Sequence, residues 1–392
     1  MLNTTIAPWP SFTNEEADRV RDVLLSNRVN YWTGEEGRHF EREFADWCGA
    51  QRGVAVANGT LALDLALRAL GIGPGDEVIV TPRTFIASIS CVVTAGAIPV
   101  FADVDRDSGN ISAATIAPRI TPRTRAIIPV HLAGWPVDMP TILDLAEPHG
   151  IAVIEDCAQA HGAAIHGKSV GTFGRIGAWS FCQDKIMTTG GEGGMVTTDD
   201  EELWSLMWSY KDHGKNWSSV YEKQHSPGFR WVHDSFGTNW RMLEMQSAIG
   251  RLQLGRMPQW SARRGAIGRA IANALAPFAD IVRVPVPPAG HSHAYYRQYA
   301  YVNGAALATG WTRDRIVQEV IEMGVPLLHG SCSEVYLEKA FDDTGLRPLQ
   351  RLPAARELGE TSLMFLTHPT ITDAQLARIL EVVTTVLEKA KR

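Results

Sequence analysis

The run Gly177-Ala178-Trp179-Ser180-Phe181-Cys182-Gln183-Asp184-Lys185 leads through Ile186-Met187 into Thr188-Thr189-Gly190-Gly191-Glu192-Gly193-Gly194-Met195-Val196. A short apolar strand ends at Ser180, a lysine follows five residues later, and a glycine cluster then opens a second apolar strand at 195–197. This order sets one amine in a tight pocket walled by backbone. Desolvation by such walls disfavours the charged ammonium, and a neutral amine can attack a carbonyl carbon. The glycines let the chain approach a ligand closely or take positive φ at little steric cost. The same residues also read as a Gly-rich hairpin carrying a surface lysine, so the surrounding chain has to decide.

Upstream, strand and helix signals alternate from Gly53 onward. Apolar strands at 54–57, 77–80, 98–101, 126–130, 151–154 and 178–181 are interleaved with helical patterns at 61–70, 84–95 and 138–148. Such alternation implies βαβ units and an α/β fold with a mainly parallel sheet covered on both faces. Helices at 13–26 and near 38–48 precede it, separated by an aromatic, Gly-containing passage at 31–37. Downstream, a helix at 200–212 is followed by a polar, aromatic, weakly patterned passage at 213–238, a length that marks a functional or mobile loop. A helical stretch from 242 to 275 includes Pro258, where a kink or break is expected. Strands at 281–284 and 295–302, a helix at 312–323 and a terminal helix from Thr372 complete a smaller α+β block.

Composition bounds the chemistry. The chain has 392 residues, 45% hydrophobic and 20% charged, enough for one large domain and a smaller one. The charge of -6 arises from 37 basic and 43 acidic residues without a basic run, which argues against nucleic acid or polybasic membrane attachment and leaves small-molecule chemistry. Cys48, Cys91, Cys157, Cys182 and Cys332 are scattered singly, without metal-ligand spacing, and read as reduced thiols; no metal site is expected. The first residues lack a basic and an apolar leader region, and no apolar run reaches spanning length, so a cytoplasmic, soluble protein is expected.

In parallel α/β sheets ligands sit at the carboxyl ends of strands, and three such ends stand out. Asn58-Gly59-Thr60 offers N–H groups and a hydroxyl at a helix N-terminus, an anion site. Glu155-Asp156-Cys157-Ala158-Gln159-Ala160-His161-Gly162 places a carboxylate and an amide just past the 151–154 strand. Ser180 and Lys185 complete the set. A phosphate cradle, a carboxylate and an amine are what pyridoxal 5'-phosphate requires of a protein: its phosphate held, its ring nitrogen kept protonated and its aldehyde bound.

With these motifs in their order and spacing, the chain resembles the DegT/DnrJ/EryC1/StrS family of sugar aminotransferases over nearly its whole length. The carrying segments are 58–63, Gly73-Pro74-Gly75-Asp76-Glu77-Val78-Ile79-Val80, Thr84-Phe85, 154–162, Ser180-Phe181 to Lys185 with Gly190 to Gly194, and Gly237-Thr238-Asn239-Trp240-Arg241-Met242. The resemblance implies a fold type I transferase: a large domain over 1–250 with a seven-stranded, mainly parallel sheet between helices, and a smaller C-terminal α+β domain over 251–392. It implies that Lys185 binds the cofactor covalently and shuttles a proton, that Asp156 pairs with the ring nitrogen, and that Gln159 lies near the ring hydroxyl. Phe85 would stack on the ring, and Gly59, Thr60 and Ser180 would bind the phosphate. Asn239 would reach the phosphate of a neighbouring subunit, implying a homodimer with shared active sites. The activity implied is transfer of an amino group from L-glutamate to a nucleotide-linked keto-sugar, for amino sugars such as those of lipopolysaccharide or O-antigen.

His161 faces either the cofactor or its own backbone, and Arg241 meets either the donor's carboxylate or an acidic neighbour; His329 is a further substrate candidate. The cluster Thr-Thr-Gly-Gly-Glu-Gly-Gly has one glycine more than the family pattern, and Arg83 puts a charge beside Thr84-Phe85, so both bear on the substrate. The Gly-Glu-Gly-Gly loop resembles members acting at C4 of a 4-keto-6-deoxyhexose. A pyridoxal-phosphate sugar dehydratase is the rival within enzymes, with Lys185 standing where related dehydratases have histidine. A non-catalytic sugar-nucleotide-binding regulator is the rival outside them, expected to lose Lys185 or Asp156.

Overall fold

The computed structural model describes residues 6–392. Thirteen strands follow in order: β1 Arg52–Val56, β2 Glu77–Val80, β3 Ile98–Phe101, β4 Thr124–Ile128, β5 Ala152–Asp156, β6 Ala164–Ile165, β7 Lys168–Ser169, β8 Ile176–Ser180, β9 Gly194–Thr198, β10 Val282–Arg283, β11 His291–Ser292, β12 Arg297–Val302 and β13 Ser362–Leu366. Seven of them form one sheet, ordered β1-β9-β8-β5-β4-β2-β3. Pairing is parallel from β3 across to β8, whereas β9 runs antiparallel to both β8 and β1. The expected sheet is therefore present, with one reversed strand. β8 and β9 are joined by the lysine loop itself, so this segment is an antiparallel hairpin.

The central strands are buried on both faces, which explains their unbroken apolar runs: Val78, Ile79, Ile127, Ile154 and Val196 lie in one core with the helix Gly59–Ala69. A second core surrounds Val320, Leu363, Phe365, Val383 and Leu387 of the C-terminal domain. There β12 lies between β10 and β13 in an antiparallel sheet. A third core joins Phe40, Phe44, Trp179, Phe181 and Met257 behind the lysine loop. The helix Glu244–Leu275 contributes to the second and third cores and runs without interruption through Pro258. The expected break is thus absent. Among the described residues no helix is long and apolar enough to cross a membrane.

Several expected boundaries move. β5 extends to Asp156, so the carboxylate is the last residue of the strand rather than a residue past it. The fourth helix begins at Ala87, leaving Phe85 in the turn ahead of it. The 213–238 passage is pinned rather than featureless, with a short helix Trp217–Tyr221 and bridges pairing Lys215 with His233 and Asp212 with Asn239. The small sheet β11-β6-β7 was not legible in the sequence. Its two-residue strands are too short for any periodicity, yet they bring 291–292 against the loop that follows Asp156.

Candidate active site

A cavity of about 940 Å³ opens at the carboxyl ends of β5 and β8, and Asp156, Gln159, Ser180, Lys185, Gly59, Thr60 and Phe85 all line it. These seven residues come from four separate strand ends and turns. Register does the work here: β5 and β8 pair in parallel, with Asp156 opposite Ala178, so their ends stop side by side.

Asp156 is buried at this edge. Its Oδ2 accepts from the Ser88 hydroxyl at 2.7 Å and its Oδ1 from the Ala158 N–H at 3.1 Å. Burial pushes its carboxyl above the usual value, against the lowering effects of the Ser88 and Ala158 hydrogen bonds and of the Lys185 charge. Among the described residues none forms an ion pair with it. A carboxylate held by two neutral donors in a buried edge gains most from a cationic ring nitrogen beside it. Its neighbour Glu155 serves the fold instead, accepting from the N–H groups of Gly171, Phe173 and Gly174 and pairing with His131 at 3.0 Å. Since His131 Nδ1 accepts from the Val137 N–H, the ring proton sits on Nε2 and points at Glu155. The cluster of His131, Glu155 and Cys157 is thereby taken up by hydrogen bonds.

The anion end is built by close packing. Asn58 caps the helix Gly59–Ala69, its Oδ1 accepting from Leu61 N–H at 3.0 Å, which leaves the Gly59 and Thr60 amides at the cavity. A Cβ on Gly59 would stand 2.6 Å from Cβ of Ser180, so only glycine lets this N-terminus meet the end of β8. Together with Ser180, whose side chain lines the cavity, this is a cradle fitted to a phosphate.

Lys185 lies between these two ends. Its side chain keeps 16% of its surface, and Asp184 stands 3.9 Å from its Nζ. The amine is therefore not sealed off by backbone walls as its sequence context suggests. Its main chain is fixed from two sides, by Lys185 N–H to Cys182 O at 3.1 Å and by Trp9 Nε1 donating to Lys185 O at 2.8 Å. Gln159 spends its Oε1 on the Ala133 N–H at 2.7 Å, so its NH₂ is the end left to donate. Phe85 is 68% exposed on the cavity wall, which is not the core position a lone phenylalanine usually takes. The extra glycine is accommodated by positive φ, Gly190 at 85° and Gly191 at 127°, and so the loop folds back without strain.

The remaining candidates lie elsewhere. His161 is fully buried among Phe44, Trp179 and Phe181, with neither ring nitrogen bonded; it faces neither the cavity nor its backbone. Arg241 pairs with Asp212 at 3.0 Å, the structural alternative. Asn239 is exposed beside the end of β1, where the 240 carbonyl accepts from Ala57 N–H, and its Oδ1 accepts from Arg241. His329 is on the surface at 3.4 Å from Asp314, between cavity-lining Leu328 and Gly330. Arg83 is fully buried against the Tyr299 and Tyr301 rings and bonded to Ser333, away from the cavity lining.

Among the lining residues that the sequence reading did not single out as site candidates are Ser88, Asp184, Tyr296, Arg297 and Glu338. Ser88 stands four residues beyond Thr84, whose hydroxyl it meets at 2.9 Å, a spacing that could have flagged it. Tyr296 and Arg297 stand more than a hundred positions from Lys185, and no local pattern joins them to it.

Comparison with known proteins agrees with this geometry. The chain is 37% identical over 374 residues to GDP-perosamine synthase of Caulobacter vibrioides, covering 94% of this chain and 95% of that protein. It is 38% identical over 371 residues to the UDP-N-acetyl-3-dehydro-alpha-D-glucosamine 3-aminotransferase of Acidithiobacillus ferrooxidans, covering 93% and 94%. The crystal structure of an aminotransferase from Psychrobacter cryohalolentis superposes with a TM-score of 0.97 at 59% identity, over 98% of this chain and 99% of that one. Residues 10–384 match the DegT/DnrJ/EryC1/StrS aminotransferase family, whose members use pyridoxal phosphate. The protein belongs to this family of sugar aminotransferases.

Proposed function

We propose that the protein moves the amino group of L-glutamate to the keto carbon of a sugar carried on a nucleoside diphosphate, a 4-keto-6-deoxyhexose, for amino-sugar biosynthesis. The observation that carries the reading is the single cavity shared by Lys185, Asp156 and the Gly59–Thr60–Ser180 cradle. Pyridoxal phosphate, when bound, supplies an electron sink for the bond pair released at the amino-bearing carbon.

The chain's own residues do the rest. Gly59, Thr60 and Ser180 hold the phosphate through N–H and hydroxyl donors at a helix N-terminus. Asp156 keeps the ring nitrogen protonated, and Ser88 and Ala158 fix the carboxylate in place for that task. Gln159 donates near the ring hydroxyl, and Phe85 covers one ring face. Lys185 would hold the cofactor at its aldehyde carbon, and its free Nζ would take the proton from the donor's Cα. In the second half of the cycle the same Nζ delivers a proton to the acceptor's former keto carbon. Asn239 acts in the cavity of a second subunit, which makes the working form a homodimer.

The test is the absorption spectrum of purified protein before and after L-glutamate, alongside Lys185→Ala. A band near the visible edge that bleaches with glutamate in wild type, and neither forms nor turns over in the variant, is the expected result. No band after reconstitution with pyridoxal phosphate, or unchanged turnover in Lys185→Ala, overturns the reading. A panel of GDP-, UDP- and dTDP-linked keto-sugars then identifies base and position.

A further inference from the structure

A donor that enters as an amino acid brings carboxylate with it, and a carboxylate inside a protein needs a cationic or hydrogen-bonding partner. Among the described residues lining the cavity only Lys185 and Arg297 are cationic, and Lys185 is committed to chemistry. Arg297 is mostly buried where β12 begins. Its guanidinium lies over the Tyr296 ring, 4.2 Å from the centroid, and Nη1 donates to Tyr296 O at 2.9 Å. Among the described residues its ion-pair partner is Asp184, at 3.5 Å, a loose pair whose aspartate is half exposed.

A second guanidinium stands close to Arg297. Arg264 is fully buried behind it, making one long bond to Tyr295 O at 3.4 Å and leaving Nε and Nη2 without partners. Burial and the Arg297 charge push Arg264 down to about 9. Asp156, Glu192 and Glu338 line other parts of the cavity, and the carboxylate that reaches this wall is that of Asp184, which neighbours Lys185 and Arg297 and also accepts from the Tyr296 hydroxyl. Asp184 thus occupies the position of a carboxylate ligand, reached by an amine, a phenol and a guanidinium at once, and its exposure lets it give way.

We infer that Arg297 is the residue that recognises a carboxylate of the amino donor, with Asp184 as the internal carboxylate that the donor displaces. The inference rests on the aminotransferase reading above. A planar fork suits a carboxylate better than an ammonium does, so lysine should substitute only in part.

The test uses the reconstituted enzyme and glutarate, a dicarboxylate with no amine to react, titrated by calorimetry into wild type, Arg297→Lys and Arg297→Met. Circular dichroism and the cofactor band confirm folding and loading. The expected result is a glutarate Kd raised on the order of 10- to 100-fold in Arg297→Met and less in Arg297→Lys, the range for losing a hydrogen-bonded charge. The L-glutamate concentration that half-bleaches the band should rise in parallel, while nucleotide-sugar affinity stays constant. Equal glutarate and glutamate affinities in wild type and Arg297→Met overturn the inference. So does a loss confined to the nucleotide-sugar arm, which would assign the carboxylate to the acceptor. A wild-type protein that forms no cofactor band would instead sink the aminotransferase reading, with the glutarate titration still reporting on Arg297.

Discussion

His161 shows how a residue in a recognisable motif can serve neither of its expected roles. Its ring sits 5.3 Å from that of Trp179 and 5.5 Å from that of Phe181, with both nitrogens unbonded, and burial drives its pKa from 6.5 to about 3. Because the folded chain resists protonating it while the unfolded chain does not, its contribution to stability falls as pH drops from about 6.5 towards 3. Replacing it with an apolar side chain of similar size removes that proton uptake and two unpaired polar atoms. His161→Leu should therefore raise the melting temperature, by about 1–2 kcal/mol in stability, with the gain widening below pH 6. Melting curves from pH 4 to 8 check this, and a uniform loss at every pH would show that the ring nitrogens do find partners. The Lys185 and Asp156 placements were legible in sequence because each stands at or just beyond the end of a short apolar strand, Asp156 closing β5 and Lys185 following β8 by five residues. The surroundings of His161 were not, since Phe44 reaches this turn residue from the helix Glu36–Cys48, more than a hundred residues away.

At the scale of elements, the phosphate cradle is a packing relation between a helix end and a strand end. Gly59→Ala would force its Cβ to 2.6 Å from the Ser180 Cβ, with backbone on the far side, and the helix would have to back away from β8. Overpacking of this kind costs about 1–3 kcal/mol. The expected outcome is a lower melting temperature together with a weaker affinity for pyridoxal phosphate, measured by fluorescence titration. Loss of stability with affinity intact would mean that the amides of Gly59 and Thr60 take no part in binding. The helix Glu244–Leu275 makes the opposite point about local signals. Pro258 removes one backbone donor, yet the helix is clamped on the preceding turns: Arg251 bonds Glu36 and Glu43 while Arg256 bonds Glu15 and Glu16. Two helices packed across it supply more than one hydrogen bond can withdraw. Proline's local preference was read correctly from the sequence, and tertiary packing overrode it.

For the whole molecule, the proposal of shared active sites makes a prediction that one chain cannot satisfy alone. Asn239 is exposed, in a region where Trp231 and Phe236 also present 87% and 99% of their surface. If Asn239 serves a partner's cavity, Lys185→Ala and Asn239→Ala variants, each impaired, should recover part of the activity when unfolded and refolded together. A mixed dimer then contains one site with both residues intact. No recovery, with mixed dimers verified by mass, would place Asn239 outside the partner's site. Sequence alone determined the seven strands of the large sheet and the family, and it picked out the residues that line the cavity at the ends of β1, β5 and β8, while β6, β7, β11 and β13 went unread. Those features arise from local causes: burial of both sheet faces writes apolar runs, and strand-to-helix turns need particular caps and glycines. Only the tertiary structure decided that Arg241 is tied to Asp212, that His161 is sealed in an aromatic core, and that Asp184, Tyr296 and Arg297 share the wall beside Lys185. Those are contacts between segments far apart in the chain, and such contacts leave no periodicity in the sequence that makes them.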